Sequence, residues 1–275
     1  MEITATPTEL IELVVALVLS GTVTGILAGV FGVGGGAVIV PVLYEAYAFL
    51  GLAEDVRMHV SIGTAMAVIV PTSVRSFLAH RKRGSVDMAV VRSWLIPMPI
   101  GVVFASVLAA SISGDALSGV FATIAAMVSF RLLFGRESWR LGPDLPANPL
   151  RAIIGTIIGF LSTLMGVGGG IMVNTVMTLY GRTMIQAVGT SSAIGLVISI
   201  PAVFGYIWAG WGVGGLPPLS AGYVNLLGMA VLIPVSVLAA PYGVRLAHSM
   251  PQRWLERSFG IFLAIVATRF FFVLF

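Results

Sequence analysis

Two five-residue blocks, Gly-Val-Gly-Gly-Gly at residues 32–36 and again at 166–170, interrupt otherwise apolar stretches. Glycine inside a helix costs roughly 1 kcal/mol relative to alanine, so four glycines in five positions, twice, mark places where a helix is meant to stop. Where it restarts, at Ala37 and Ile171, the first N–H groups face the gap with partial positive charge. The chemistry on offer is anion binding by the amides of Gly34, Gly35 and Gly36 in one block and Gly168, Gly169 and Gly170 in the other. Close helix crossing through small residues is the plainer use of one such block. Two copies at matched places favour a pair of broken helices around a substrate. Nucleotide binding is the weaker reading, because Ala37 and Ile171 stand where a third glycine would be needed and no Gly-Lys-Ser/Thr follows.

Small hydroxyls form the second constellation: Ser61 and Thr64 around Gly63, and Thr190 and Ser191 after Gly189. They can donate to an oxyanion without a buried charge, or bond back to their own helix. Asn174 and Gln186 are polar neighbours of the second block. Arg75 lies within an apolar run, where it either snorkels to headgroups or faces a substrate path. Glu45 is a weak candidate for carrying protons. His59, His80 and His248 are read as lying in or beside loops with no ligand spacing, so no metal site is expected. No Ser-His-Asp arrangement, H-E-x-x-H or paired carboxylate stands at membrane depth, so an enzyme is not expected, nor is a cofactor.

These residues must be held by elements suited to lipid. Of 275 residues, 58% are hydrophobic and only 9% charged, against about 25% charged in soluble domains. Such a surface cannot be kept in water. The net charge of +4 comes from basic residues scattered between long uncharged stretches, which suits topogenic signals and not a nucleic-acid face. Cysteine is absent, which removes disulfides and thiolate chemistry. Residues 1–13 hold three glutamates and no basic residue, unlike a signal peptide, so the first apolar segment is expected to be retained.

Spans of roughly 20 apolar residues are expected at 10–31, 60–79, 93–111, 116–134, 150–166, 187–208, 221–244 and 254–274, with two shorter runs at 37–50 and 171–181. The runs are continuously apolar and do not alternate, which favours helices over a barrel. The glycine blocks repeat after 134 residues, and residues 106–134 match 244–272 at nine positions at an offset of 138, among them Arg131 with Arg269. Together these indicate duplication.

The loop bearing Arg81, Lys82 and Arg83 has an uncharged counterpart at 206–223. The positive-inside rule therefore requires the two halves to point opposite ways. Placing the N-terminus outside leaves 13 basic residues on or near the cytoplasmic side and two, Arg57 and Arg269, outside. The expected fold is all-α integral membrane, with two inverted-topology repeats carrying Gly-broken, discontinuous or re-entrant helices. It is one transmembrane domain over 1–275, with repeat A at about 8–135, a cytoplasmic linker at about 136–149 and repeat B at about 150–275. Both termini are expected outside.

The run from Gly25 through Gly29 and Gly32 to Gly36, then Pro41 and Gly63-Thr64, and again Gly159 to Gly170 with Gly189-Thr190-Ser191, resembles the TauE/SafE family of sulfite and organosulfonate exporters. The resemblance covers nearly the whole chain. It implies export of a small sulfur-containing anion, such as sulfite, sulfoacetate or a related sulfonate, across the cytoplasmic membrane of a prokaryote. One departure is Asn174-Thr175 where the first half has Val40-Pro41; the family pattern often has proline in both halves, and the change bears on which anion is carried. The expected activity is secondary transport by alternating access. An anion channel, or a non-transporting assembly or anchor subunit, is the alternative. Partners are a small anion and the lipid bilayer, with no nucleic acid, and the oligomeric state stays open.

Overall fold

In the computed structural model, which describes residues 7–31, 36–135 and 140–274, the apolar runs fold into helices joined by turns and short loops. Helix α1 spans Pro7–Phe31, α2 Gly36–Phe49, α3 Glu54–Lys82, α4 Met88–Trp94, α5 Pro97–Ala109, α6 Gly114–Phe134, α7 Leu150–Met165, α8 Gly170–Leu179, α9 Met184–Ala209, α10 Leu226–Ser249 and α11 Gln252–Leu274. Two short strands, β1 (Ser220–Ala221) and β2 (Val224–Asn225), form a hairpin before α10.

The starts are chemically defined. Asp87 caps α4 by accepting from the Ala89 and Val90 N–H groups, and Asn225 caps α10 by accepting from Gly228 N–H. Thr183 and Gln186 form a capping box at α9, which gives Gln186 a structural task.

Among the described residues, four helices are long and apolar enough to cross a membrane: α3, α6, α9 and α10. The span expected at 93–111 is instead the pair α4 and α5, bent by 48°. Pro97 explains the break, since it has no N–H to continue the ladder and disfavours helix at the residue before it. The span expected at 221–244 begins five residues later, at Leu226, because residues 220–225 are taken by the hairpin and the Asn225 cap. His59 lies inside α3 and not in a loop, whereas His80 and His248 stand in the last turns of α3 and α10, beside loops as expected.

Packing pairs elements across the two halves: α1 with α10, α5 with α7, α3 with α9 and α6 with α11. Their directions follow from close approaches at glycines. Gly21 faces Val235, Gly25 faces Ser236 and Ala239, and Gly29 faces Ala240 and Val244, so α1 and α10 run parallel. The same holds for the α4–α5 pair and α7, where Gly155 meets Trp94 at the end of α4 and Gly159 meets Met98 at the start of α5. By contrast α3 and α9 run antiparallel: Gly63 faces Tyr206, whereas Ser73, further along α3, faces Gly195, earlier in α9. Helices α6 and α11 are also antiparallel, with the Phe121 and Phe270 rings in tilted contact and the Ser129 hydroxyl donating to Gly260 C=O.

Charges gather at the two ends. At one, Arg182 lies 3.0 Å from Asp144 and 3.6 Å from Asp87, Arg83 donates to Val244 C=O, Arg131 donates to the Thr178 hydroxyl, and Trp94 donates to Arg151 C=O. At the other, Glu45 pairs with Arg269 at 2.7 Å and Gly114 abuts the Glu54 and Asp55 carbonyls beside Asp115. The described part of the 136–149 linker packs back onto the helices: Leu145 is buried and Leu141 N–H donates to Leu179 C=O.

Candidate functional site

The second glycine block joins α7 to α8 through a turn that only glycine accommodates comfortably. Gly166 ends α7 in the left-handed region at φ +70°, Gly168 has φ +62°, and Gly169, at φ +84°, is the N-cap of α8. Gly170 is the first residue of α8 and is buried. In the first block Gly34 and Gly35 lie outside the described residues, but Gly36, which opens α2, is placed. A methyl on Gly36 would collide with the Gly166 carbonyl and sit 2.7 Å from Val167 Cα. The two blocks therefore meet, backbone against backbone.

The meeting point lies at mid-length of the two central helices. A side chain at Gly36 would lie 2.9 Å from Ile69 Cδ1 of α3, and one at Gly166 would lie 3.1 Å from Ile62 Cγ2. On the other side Gly169 opposes Ile198 and Ile194 of α9. Asn174, buried on α8, donates through Nδ2 to Phe31 C=O at 2.6 Å, tying α8 to the end of α1 where the first block begins. Its Oδ1 has no protein partner. Burying such a carbonyl without a bond costs about 1–3 kcal/mol.

The hydroxyls are distributed differently from what their spacing suggests. Thr64 accepts from Asn225 N–H at 2.9 Å and from the Tyr47 phenol at 3.4 Å, and Thr190 accepts from Asp87 N–H at 2.9 Å. Each threonine thus fastens the capping residue of a helix in the other half. Antiparallel α3 and α9 put Thr64 and Thr190 on opposite sides of mid-length, roughly 20 Å apart along the axis at 1.5 Å per residue. They cannot hold one small anion together. Ser61 bonds back to Arg57 C=O and Ser191 to Val188 C=O. Arg75 is exposed on the outer side of α3, away from buried Ser73 and Ser76.

Several buried residues and long-range contacts were not singled out by motif. Ser73 and Ser199 are fully buried without hydrogen-bond partners. His80 and His248, 168 residues apart, come within 3.4 Å, and His80 also contacts the Gly29 carbonyl at 3.1 Å. Among the described residues no three metal-ligating side chains cluster. An available signal was the 126-residue offset of Gly63-Thr64 to Gly189-Thr190, which also aligns Ser73 with Ser199.

That offset and the 138-residue one recur in the contacts. Ser85 N–H donates to His80 C=O, and Tyr223 N–H to Tyr206 C=O. His80 contacts Gly29 C=O, and the Tyr206 phenol donates to Thr163 C=O. Gly63 lies against Tyr223 C=O, and Gly189 against Ser85 C=O. In these three pairs each contact has a twin at the corresponding position, and in the last pair the halves exchange roles.

Comparison with known proteins gives the family. The family model described as "Sulfite exporter TauE/SafE" matches residues 17–270. A probable membrane transporter protein of Haemophilus influenzae is 29% identical over 92% of this chain and 96% of its own length. Probable membrane transporter proteins of Methanocaldococcus jannaschii and Bacillus subtilis (YunE) are 25% and 26% identical, covering 94% and 92% of this chain and 94% and 95% of their own. No solved structure matches.

Proposed function

The chain belongs to the sulfite exporter TauE/SafE family and is a multi-pass membrane transporter, and on that premise we propose that it exports a small sulfur-containing anion, sulfite, sulfoacetate or a related sulfonate. The anion sits where the glycine blocks meet, held by the amides at Gly168, Gly169 and Gly170 and, from the first block, by those around Gly34, Gly35 and Gly36. The observation that carries this reading is the contact of Gly36 with Gly166 and Val167 at mid-length of α3 and α9. In hydrocarbon, irregular backbone at such depth is tolerated where it lines a polar site. Helix α8 starts there, and the positive end of its dipole favours negative cargo. Asn174 supplies a polar group at the same turn.

Two inverted repeats, about 8–135 and 150–275, provide the moving parts. Support for inversion comes from α3 and α9, which correspond in the two halves and run antiparallel, and from the exchange of contacts between halves. Support for a cytoplasmic basic end comes from the clustering of Arg83, Arg131, Arg151 and Arg182. Ser61, Thr64, Thr190 and Ser191 hold the framework around the anion, and Arg75 anchors α3 at the headgroups. Rocking of one repeat against the other opens the site to alternate sides. An inside-negative potential, about 2.3 kcal/mol per charge per 100 mV, drives the anion outward.

The test is efflux of sulfite and of sulfoacetate from proteoliposomes at an imposed potential, with counterflow as the second arm. Saturable efflux with trans-stimulation supports a carrier. Saturable-free flux without trans-stimulation would instead support a channel, and no flux of either anion would remove the cargo.

A further inference from the structure

We infer that Ser73 and Ser199 form a hydroxyl clamp for an oxygen-bearing anion at the crossing of α3 and α9, beside the start of α8. The inference rests on the proposed anion site and assigns side chains to it. A serine inside a helix ordinarily satisfies itself by bonding to a carbonyl one turn back, as Ser61, Ser106 and Ser118 do here. Ser73 and Ser199 do not: both are fully buried and neither hydroxyl has a partner. An unpaired hydroxyl in the interior is a cost that packing does not offset. A ligand that accepts from it removes the cost.

Their placement gives the pair a target. The position a methyl on Gly195 would occupy lies 2.5 Å from Ser73 Oγ and 3.6 Å from the Gly168 carbonyl. The Ser73 hydroxyl therefore takes the place a side chain on Gly195 would need and borders the glycine turn that precedes α8. Ser199 follows Gly195 by one helical turn and shares its face of α9. In the antiparallel register set by Gly63 with Tyr206 and Ser73 with Gly195, Ser199 stands opposite residues 69–70 of α3. The two residues are then about 6 Å apart along the bundle axis, an axial offset that one oxyanion accepting a hydrogen bond of about 2.7 Å from each side can bridge.

The two serines also correspond in the two halves at the 126-residue offset, like Thr64 and Thr190. Corresponding residues on antiparallel central helices present one donor from each half. A carrier that rocks one half against the other can then pass the anion between them without a fixed charge holding it too tightly to leave.

The experiment is calorimetric titration of the purified protein with sulfite and with sulfoacetate, together with its melting temperature without ligand. The variants are Ser73→Ala, Ser199→Ala, the double alanine, Ser73→Cys and Gly195→Ala. Each single alanine is expected to weaken binding about tenfold, and the cysteine by a similar factor because a thiol is a poor donor. Gly195→Ala, whose methyl abuts the Ser73 oxygen, is expected to abolish binding. Without ligand, the alanine variants should melt no lower than the parent, since no bond is lost. Parent-like affinity in Ser73→Ala and Ser199→Ala overturns the clamp while leaving the anion reading intact. A lowered melting temperature with unchanged affinity likewise assigns the serines to structure. If the parent protein itself binds neither anion, both the cargo and the clamp fall.

Discussion

The Asp87 N–H donates to the Thr190 hydroxyl at 2.9 Å, and the Asn225 N–H donates to the Thr64 hydroxyl at the same distance. Asp87 and Asn225 are the caps of α4 and α10. Each Gly-Thr pair thus fixes where a helix of the opposite half begins. Replacing either threonine by valine keeps the shape and leaves a buried N–H unpaired, at about 1–3 kcal/mol. Thr64→Val and Thr190→Val should therefore lower the melting temperature by similar amounts. Anion affinity, read by titration on the folded variants, should change little; a selective loss of affinity in either would return that threonine to the binding shell.

Glycine carries two different costs that substitution separates. At Gly36 a methyl meets the Gly166 carbonyl and Val167 Cα, both backbone and unable to swing aside. At Gly84, φ is +69° but nothing lies within 4 Å. Gly36→Ala is expected to force the two turns apart, with overpacking of about 1–3 kcal/mol and loss of efflux. Gly84→Ala should cost only about 1 kcal/mol of left-handed strain and keep efflux. Equal behaviour of the two in melting and flux assays would contradict the close approach of the glycine blocks.

The ten apolar segments were legible in sequence because lipid imposes long uninterrupted runs, and α1, α3, α6, α9 and α11 fall within a few residues of expectation, allowing for the overhang of α3. The start of α10 was not, because nothing between Tyr206 and Tyr223 is charged and the Asn225 cap depends on a hairpin that period alone does not announce. The glycine blocks were legible through their cost in helices. The side chains around them were not: Ser73 and Ser199 resemble the many serines that bond to their own helix, and their unpaired state emerges only from packing. His80 and His248 show the same limit, since contact across 168 residues leaves no local spacing to read.

Glu45 and Arg269 meet at 2.7 Å, yet both side chains are about half exposed, at 49% and 59%. An exposed pair of this kind contributes about 0–1 kcal/mol. Glu45→Gln should melt within a degree or two of the parent and sustain efflux at its full rate across neutral pH. A steep loss of flux in Glu45→Gln would instead make this carboxylate a proton carrier.

The Tyr206 phenol reaches Thr163 C=O at 3.2 Å, as His80 reaches Gly29 C=O at 3.1 Å, so each holds the glycine-bearing helix of one half near its turn. Tyr206→Phe removes one buried bond and should cost about 1 kcal/mol, measured by thermal unfolding. Since the carbonyl of Thr163 precedes Gly166 by less than a turn, the same variant should also soften the turn, seen as faster amide exchange at residues 166–170. Unchanged exchange there would detach Tyr206 from the site.

Topology can be tested without background labelling, because the chain has no cysteine. Lys82 and Asp115 are both exposed, at opposite ends of the bundle: Lys82 follows His80 and stands beside Arg83, whose guanidinium reaches Val244, whereas Asp115 sits beside Gly114 against the Glu54 and Asp55 carbonyls. The proposed orientation, drawn from the excess of Arg and Lys at the first end, puts that end in the cytoplasm. A membrane-impermeant thiol reagent added to intact cells should label Asp115→Cys and spare Lys82→Cys until the membrane is opened. The reverse pattern would turn the bundle over, and the inside-negative potential would then still favour outward movement of the anion, because the driving force depends on the charge of the cargo and not on which repeat faces which side. Labelling of both positions from one side is the outcome that would break the crossing itself, since α3 joins these two ends as a single helix of 29 residues.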